Sequence, residues 1–291
     1  MEPVKIPTTC CLTAEETAKA AESITEHKAT KPFFKCALMS VNAGAFIALA
    51  FMFYTTALAD GHGKLVGGLC FSLGLIFCVL LGCELFTSST LTLVARSAKL
   101  VTWKTVLKNW CVVYFGNLVG GLIIVLLMML ARQYNGFHGE WGRIILNTAL
   151  HKVSHMHPGE SYWIGFTEAL SMGIFCNIMV CGAVWLGFAG KTLTDKILAM
   201  ILPVGMFVAS GFEHSIANMF MIPAGISMVN YAGNEFWQTI GQSPEQYADL
   251  TIINFIVNNL IPVTIGNIIG GGLMIGVFNW YANCRAGHKK A

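Results

Sequence analysis

Six long stretches of this sequence are almost free of charged side chains, and they constrain its fold more than any other feature. They cover residues 36–58, 65–95, 110–131, 161–190, 197–229 and 251–282. A helix needs about 20 apolar residues to cross a hydrocarbon core of about 30 Å, so each stretch is long enough to span a membrane. Only 11% of the residues are charged, against about a quarter in soluble domains. The sequence therefore predicts an all-α integral membrane protein with six spans.

Lysine and arginine are distributed unevenly between the loops. Fourteen of the 18 lie in residues 1–35, 96–109, 191–196 and 283–291. By the positive-inside rule, both termini are expected in the cytoplasm. We expect an amphipathic cytoplasmic helix in residues 1–35, a membrane domain over 36–282 and a cytoplasmic tail over 283–291. The net charge of +3 is too small to indicate a nucleic-acid partner, and no nucleic-acid-binding motif occurs.

Two of the six stretches are longer than one crossing requires. A straight helix over residues 65–95 would be roughly 46 Å long, and 197–229 is longer still. Both contain an acidic residue among small polar residues, in GCELFTSST (82–90) and ASGFEHSIAN (209–218). Non-helical backbone at membrane depth is tolerated where it is buried in protein or lines a wet cavity. We therefore expect the second and fifth spans to be broken there, and the sixth to be kinked or tilted at Pro262.

An internal repeat divides the spans into two groups of three. GNLVGGL (116–122) and GNIIGGGL (266–273) each follow one of the two expected breaks. Because each half has an odd number of spans, the halves must insert with opposite topology, as in many transport folds. Small residues also let helices approach closely, so glycine packing explains part of the match by itself.

Five segments resemble the formate/nitrite transporter family, in order along nearly the whole chain. They are KLVGGLCFSLGL (64–75), ELFTSS (84–89), KNWCVVYFGNLVGG (108–121), ASGFEHSIANMFMIPAGI (209–226) and NNLIPVTIGNIIGGG (258–272). The resemblance implies an aquaporin-like six-helix protomer in a bacterial-type inner membrane, assembled as a homopentamer with one pore per protomer. The loop 132–160 departs from the family pattern because it is several residues longer.

The function implied by the resemblance is pH-sensitive transport of formate, as the anion or together with a proton as formic acid. Nitrite or hydrosulfide transport is the alternative within the family, and an aquaporin-like channel for neutral solutes is the alternative outside it. The chain carries no nucleophile, metalloprotease or phosphate-loop motif, so an enzyme is not expected. Formate and membrane lipid are the expected partners, and no cofactor is expected.

His214 is the main candidate for contact with the substrate. An ionisable group inside a membrane span is costly to bury and is a functional hypothesis by default. Burial favours the neutral imidazole, whereas an ionised Glu213 beside it favours imidazolium. The resemblance places Thr87 opposite this histidine, where its hydroxyl can donate to a carboxylate or accept from the imidazole. A buried histidine that only satisfies broken backbone is the structural alternative.

The two glutamates at the breaks have a different predicted role. Glu84 and Glu213 can accept hydrogen bonds from the free amides at the start of a half-helix, so we expect both to hold the loops. Asn218 and Asn117 are interpreted as interhelical hydrogen-bond partners.

The remaining pore residues are assigned by the resemblance. Asn177, Asn267 and Lys152 supply polar groups along the pore, and Lys152 makes the outer mouth electropositive. Apolar rings form an outer constriction at Phe71, Leu75 and Phe207, and an inner one at Leu85, Phe86 and Val180.

Two other features leave alternatives open. His151, His155 and His157 lie close in sequence, but no cysteine or carboxylate completes an evident site, so no metal is expected. Residues 13–29 form a good helix with Thr13 and Glu16 spaced as a capping box. That helix either closes the inner mouth of the pore or is an ordinary solvated terminal helix.

Overall fold

A computed structural model describes residues 11–155, 159 and 161–285. The described chain is almost entirely helical, and its only β-bridge joins Cys11 to Gly190. Eleven α-helices precede the C-terminal helix: α1 Ala14–Ala29, α2 Phe33–Ala59, α3 Lys64–Leu80, α4 Phe86–Ser89, α5 Thr92–Ser97, α6 Trp103–Leu130, α7 Glu140–Val153, α8 Tyr162–Ala189, α9 Leu193–Ala209, α10 Ser215–Tyr231 and α11 Asn234–Ile240. Short 3₁₀ turns occupy Gln133–Asn135 and Pro244–Tyr247.

The C-terminal helix covers residues 252–285 and alternates between two hydrogen-bonding patterns. Its α-helical segments are Ile252–Asn254, Ile261–Asn267 and Phe278–Trp280. The wider π-helical pattern occupies Phe255–Leu260, Ile268–Val277 and Tyr281–Arg285. Pro262 lies in the first turn of the middle α-helical segment, directly after a π-helical one. A proline lacks the N–H that regular helical bonding needs, which accounts for a local change of pattern.

Among the described residues, four helices are long and apolar enough to cross a membrane: α2, α6, α8 and the C-terminal helix. The shorter α3 and α9 have 17 residues each. In the described chain α3 and α9 pack side by side, with α2 and α6 on one flank and α8 and the C-terminal helix on the other. The described chain is helical as expected, and four of its helices meet the length and hydropathy needed for a span.

Glycines let the two helices of each flanking pair, α2 with α6 and α8 with the C-terminal helix, contact each other through their backbones. A Cβ on Gly44 or Gly120 would overlap with carbonyl groups across the α2–α6 contact. On the opposite flank, a Cβ on Gly266 or Gly270 would overlap with carbonyl groups of α8. Gly120 and Gly270 come from the two copies of the repeated motif, so both copies serve the same close packing.

The chain leaves α3 and α9 through the same type of turn. Gly82 and Gly211 have φ of +68° and +74°, a conformation that glycine adopts without steric cost. The next N–H, of Cys83 or Phe212, returns to the carbonyl of Cys78 or Phe207 at 2.8 and 3.0 Å. This arrangement is the Schellman motif that ends many helices. Five residues, 81–85 and 210–214, then separate α3 from α4 and α9 from α10.

The N-terminal helix α1 lies outside the spans and begins with the expected cap. The Thr13 hydroxyl accepts from the Glu16 N–H, and the Glu16 carboxylate accepts from the Thr13 N–H at 2.8 Å. The capping box is therefore confirmed. At the other end of the chain, Trp280 donates its indole N–H to Glu22 of α1 at 2.5 Å, which ties the two terminal segments together.

Candidate functional site

The structure brings Thr87 and His214 into contact, although 127 positions separate them in the sequence. Nε2 of His214 lies 3.1 Å from the Thr87 hydroxyl oxygen, and both side chains are buried. His214 also caps α10, because its Nδ1 accepts the N–H of Ala217 at 3.0 Å. Since Nδ1 is an acceptor, the proton of the neutral ring belongs on Nε2 and points to Thr87. The Nε2–H therefore donates to the Thr87 hydroxyl oxygen, which leaves the hydroxyl hydrogen of Thr87 as the free donor of the pair.

A cavity of about 50 Å³ ends at His214. Its polar side chains are Tyr54, Thr148, Lys152 and His214. The share of liquid volume taken by one water is about 30 Å³, so the cavity has room for less than two waters or for one very small molecule. The rest of its wall is apolar or backbone: Phe51, Phe71, Phe207, Val208, Gly211, Phe212 and Ala217.

Aromatic rings close around this cavity. The Phe207 ring stacks on the His214 imidazole with a centroid distance of 5.8 Å and an interplanar angle of 16°. Phe71 meets Phe207 edge to face at 5.9 Å, and Phe51 meets Phe71 at 5.5 Å. Two of the residues predicted for the outer constriction therefore border the His214 cavity. The third, Leu75, is buried but is not among its lining residues.

Glu213 is fully engaged by its neighbours. One carboxylate oxygen accepts from Lys152 at 2.9 Å, and the other accepts from Asn218 at 2.6 Å and Asn259 at 2.9 Å. Asn259 also donates to the Lys152 carbonyl at 2.8 Å. A buried carboxylate with one cation and two amides is well satisfied, so Glu213 fits the predicted structural role better than substrate contact. Lys152 links this network to the cavity, because it lines the cavity as well.

His155 adds a second cation-forming group to this network. Its Nδ1 lies 3.1 Å from Glu168, and its Nε2 lies 3.7 Å from Glu213, too far for a hydrogen bond. Burial by itself would lower the pKa of His155, but the two carboxylates outweigh that effect and raise the pKa above its usual value. Burial lowers the pKa of the neighbouring His151 instead.

The predicted absence of a metal site at this loop remains a prediction. His157 lies outside the described residues. Within the described part of the chain, no group of three histidine, cysteine or acidic side chains is placed to hold a metal ion.

Glu84 is held by cations from the N-terminal segment. Lys28 of α1 lies 3.2 Å from one carboxylate oxygen, and Lys31 contacts the other. Lys28 also donates to the Ser88 hydroxyl at 3.0 Å. A second cavity, of about 180 Å³, lies between α1 and residues 78–91 and includes Glu84 in its wall. The helix α1 therefore covers this side of the first break.

Two asparagines clamp the two breaks in the same way. The side-chain oxygen of Asn117 accepts from the Phe86 N–H, and its amide group donates to the carbonyls of Ser40 and Glu84. Asn267 likewise accepts from the N–H of Ser215.

The Asn267 amide group donates to the carbonyls of Gly173 and Glu213. Both of its amide hydrogens are therefore used by backbone. The structure thus places Asn267 in the same role as Asn117 and leaves it no free N–H for a substrate, in contrast to the expectation from the sequence.

Asn177 contacts the segment that carries Thr87. Its amide group donates to the carbonyls of Thr87 at 3.1 Å and Asn267 at 2.6 Å, and lies 3.3 Å from the Thr90 hydroxyl. The Cys181 thiol also points to the Thr87 carbonyl, at 3.2 Å. The Asn177 side chain thus positions Thr87 by binding the backbone carbonyl of Thr87.

Leu85, Phe86 and Val180, predicted for the inner constriction, are all buried in the main hydrophobic core. Leu85 and Val180 are buried and line neither the His214 cavity nor the Glu84 cavity. The Phe86 ring meets Tyr114 edge to face at 4.7 Å and borders an apolar groove between α6 and the C-terminal helix.

For several residues of the site, the neighbouring sequence does not indicate which group they contact. Asn259 belongs to an apolar span, where a buried amide indicates a hydrogen-bond partner elsewhere, but that partner is not evident from the sequence. The links from Lys28 and Lys31 to Glu84 join segments more than 50 positions apart. Sequence reasoning counted these lysines only as evidence of orientation.

Comparison with known proteins places this arrangement in context. A sequence profile of the family described as "Formate/nitrite transporter" matches residues 15–281. The chain is 52% identical to the formate channel FocA of Escherichia coli strain K12 over 269 residues, covering 90% of this chain and 91% of that protein. It is also 52% identical to FocA of Haemophilus influenzae, covering 93% and 94% of the two chains.

A solved structure described as a pentameric formate channel with formate bound has a similar fold. It superposes with a TM-score of 0.78 at 46% identity and covers 86% of this chain and 97% of that chain. An ion channel of the same family superposes with a TM-score of 0.68 at 26% identity.

Proposed function

The chain belongs to the formate/nitrite transporter family, and we propose that it carries formate across a membrane through a pore in each protomer. It is a transport protein rather than an enzyme. Relatives that are 52% identical are formate channels, and a 46% identical channel structure contains formate. Nitrite and hydrosulfide are the competing substrates in the experiment below.

The contact between Thr87 and His214 carries the proposal. Nε2 of His214 and the Thr87 hydroxyl oxygen lie 3.1 Å apart, and His214 lines a small cavity that Thr87 itself does not border. At 3.1 Å the two groups bond to each other, so a carboxylate of three heavy atoms accepts from both donors only when this contact opens. Hydrogen bonds to a charged acceptor are stronger than neutral ones, which offsets part of the cost of removing formate from water.

Lys152 supplies the attraction that brings the anion to this pair. Its ammonium group lines the cavity while Glu213 balances its charge from the other side. Formate is small and negatively charged, so it can accept a charge-assisted hydrogen bond from this lysine at the cavity wall, while Glu213 offsets the attraction at longer range. The rings of Phe71 and Phe207 then exclude larger hydrated ions.

The hydrogen bonds of His214 limit how it can handle a proton. A neutral imidazole can donate its Nε2–H to formate, but it cannot give that proton away without becoming an anion. Making formic acid therefore requires an imidazolium, whose Nδ1–H would displace the N–H of Ala217 from the ring. In this proposal His214 first binds the anion, and proton transfer follows only when the start of α10 shifts.

The proposed protomer is an aquaporin-like pair of inverted repeats, each with three spans, in which the second and fifth spans are broken. The equivalent asparagine clamps at Asn117 and Asn267 support this arrangement, as do the equivalent glycine turns at Gly82 and Gly211. Five copies assemble into a homopentamer, in line with the pentameric relative, and formate does not use the central axis.

The proposed location is a bacterial-type inner membrane with both termini in the cytoplasm. The excess of lysine and arginine in the terminal segments supports that orientation. Residues 1–35 form the cytoplasmic segment whose helix α1 covers the Glu84 cavity, and 283–291 form the tail. The proposed membrane domain is residues 36–282.

Formate uptake into proteoliposomes tests the proposal. Stopped-flow recording would follow internal pH and membrane potential in the native protein and in His214→Asn and Thr87→Val. Asparagine can cap α10 as histidine does but cannot titrate, so His214→Asn separates capping from chemistry. The control is His62→Asn, an exposed histidine outside the site.

We expect formate flux to fall about tenfold or more in both site variants and to be unchanged in the control. A buried hydrogen bond to a charged group contributes about 1.5–3 kcal/mol, which corresponds to that factor. Equal flux in all four proteins would exclude the Thr87–His214 pair. Flux of nitrite or hydrosulfide without formate would change the substrate, and flux of neutral solutes alone would indicate an aquaporin-like channel.

A further inference from the structure

A third polar cavity, of about 340 Å³, lies where two membrane-spanning helices begin. One side of its wall runs from the end of α1 into the start of α2, and the other side is on α6. The lining residues are Ala29, Thr30, Lys31, Phe33 and Cys36 on the first side, and Lys104, Thr105, Lys108, Asn109 and Val112 on the second. None of these side chains takes part in the Thr87–His214 site. We propose that this cavity binds the headgroup of an anionic phospholipid with free hydroxyl groups, of the phosphatidylglycerol type.

The charge of the cavity indicates an anionic ligand. Lys104 and Lys108 are four residues apart on α6, so they lie on the same helix face. Both are exposed, and within the described residues neither has a carboxylate at ion-pair distance. Lys31 is already paired with Glu84. Two unpaired lysines at the rim of a concave site therefore leave positive charge for a phosphate group.

Asn109 indicates a second feature of the ligand. Its side chain is 5% exposed, and its amide group donates to the Lys28 carbonyl at 3.1 Å. That bond fixes the orientation of the amide, since the oxygen cannot donate. The side-chain oxygen is buried and has no hydrogen-bond partner. A buried acceptor without a donor is unfavourable, so a ligand that brings a hydroxyl group would stabilise the site.

The position of the cavity indicates that the ligand comes from the bilayer. Both α2 and α6 are long enough to span the membrane, and the cavity lies beside the first turn of α2 and the first three turns of α6. Large aromatic side chains are exposed there: Phe33 at 61%, Phe34 at 73% and Trp103 at 51%. Aromatic residues are enriched at the headgroup level of membranes, and basic pockets between spans bind anionic headgroups.

The two requirements together select one headgroup chemistry. A phosphodiester meets the lysines, and the glycerol hydroxyls of the headgroup can donate to Asn109. Phosphatidic acid has the phosphate without the hydroxyls. Phosphatidylcholine and phosphatidylethanolamine would bring a cation next to Lys104 and Lys108. Soluble phosphate or glycerol phosphate has the same polar chemistry but no acyl chains.

Native mass spectrometry of the assembled protein in lipid–detergent mixtures tests the proposal. The added lipids are phosphatidylglycerol, phosphatidic acid and phosphatidylcholine, one at a time, and glycerol phosphate is the soluble comparison. The variants are the double substitution Lys104→Gln with Lys108→Gln, and Asn109→Leu. The matched control is Lys19→Gln with Lys99→Gln, which removes two exposed lysines outside the cavity.

We expect the native protein to retain phosphatidylglycerol in preference to the other two lipids. The Lys104/Lys108 variant should lose about thirtyfold in phosphatidylglycerol affinity, because each lysine near an anionic headgroup contributes roughly a factor of five. The control should lose much less, and Asn109→Leu should remove the preference for phosphatidylglycerol over phosphatidic acid.

Three results would overturn the inference. The first is equal retention of phosphatidylglycerol and phosphatidylcholine by the native protein, which would also be the result if a neighbouring copy closed the cavity. The second is equal losses in the lysine variant and its control. The third is glycerol phosphate binding as tightly as the lipid, which would indicate a site for a soluble anion. None of these results depends on formate flux, so the proposed transport function stands or falls separately.

Discussion

Glu84 and Glu213 lie at equivalent points of two helix breaks, yet different parts of the molecule balance their charges. Each glutamate follows a glycine turn, and its N–H bonds to the carbonyl of a methionine on a long helix, Met39 or Met172. Glu213 is neutralised by Lys152 of α7, whereas Glu84 is neutralised by lysines at and just after the end of α1. The two breaks thus have the same backbone hydrogen bonds, but the cations that balance their glutamates come from different parts of the chain.

The helices that follow the two breaks also differ. After the second break α10 continues for 17 residues. After the first break α4 ends after four residues and α5 begins after a turn. The hydroxyls of residues 88–90 and 92 bond to carbonyls three or four positions earlier. Such bonds compete with the helical hydrogen bonds and bend the chain. The Thr87 carbonyl accepts from the Thr90 hydroxyl in this way, and also from Asn177 and Cys181.

The two breaks therefore share a backbone arrangement but are held in place by different parts of the protein. The second break is closed by residues of the membrane-spanning body and the adjacent α7, so it holds His214 firmly. The first break depends on a terminal helix that packs from outside the spans. A change in the position of α1 would therefore alter the charge balance at Glu84 and leave Glu213 unaffected.

The largest effect should come from removing the cation at the second break. Lys152→Met leaves the buried Glu213 carboxylate with His155 as its remaining cation-forming neighbour. Breaking a buried ion pair costs about 3–5 kcal/mol in the free energy of unfolding. Lys31→Met should cost roughly half of that or less, since Lys28 remains at Glu84. Thermal unfolding of the solubilised protein measures both. Equal losses would contradict the proposed difference between the breaks.

A second comparison tests the equivalence of the asparagine clamps. Asn117→Leu and Asn267→Leu each leave one N–H and two carbonyls of a break without their partner. Each variant should lose about 3 kcal/mol of unfolding free energy, since every unsatisfied buried group costs about 1–3 kcal/mol before relaxation. Asn230→Leu, at an exposed amide, is the control. Thermal unfolding should give similar losses for the two clamps, and a large difference would show that they are not equivalent.

A third, more local effect concerns the dependence of the first break on α1. In the double variant Lys28→Gln with Lys31→Gln, amide exchange over residues 81–89 should rise about tenfold, because local opening loses its ionic restraint. Exchange over residues 210–218 should stay unchanged. Hydrogen–deuterium exchange with mass spectrometry measures both segments in one sample. A rise in both segments would indicate general loosening of the protein.

The smallest effect should be a pH dependence that arises from His155. Its folded-state pKa is raised above the ordinary value of about 6.5. Its stabilising contribution is therefore complete below that ordinary value and is lost as the pH rises through the folded-state pKa. The groups around it are Glu168, Glu213, His151 and Lys152.

The variant His155→Gln should remove this contribution. The native protein should exceed the variant in thermal stability at acidic pH, and the gap should shrink toward alkaline pH. His62→Gln, at an exposed histidine, is the control. A gap that stays constant with pH would mean that His155 contributes only packing.

The sequence by itself determined the helical membrane fold and the family. Both depend on local information, because the length of an apolar stretch decides whether a helix can span a membrane. The glycines and acidic residues that interrupt 65–95 and 197–229 also indicated where the helices end. The motif at 209–218 identified His214 as the candidate before any contact was known.

Only the tertiary structure decided which groups meet. It paired Thr87 with His214 and Lys152 with Glu213, and it assigned Asn267 to the backbone of the second break. It also fixed the protonated nitrogen of His214, because the Ala217 N–H occupies the other one. These contacts join residues between three and 127 positions apart. An apolar pattern says which face of a helix is buried, but the partner of a buried polar group depends on how all the helices pack together.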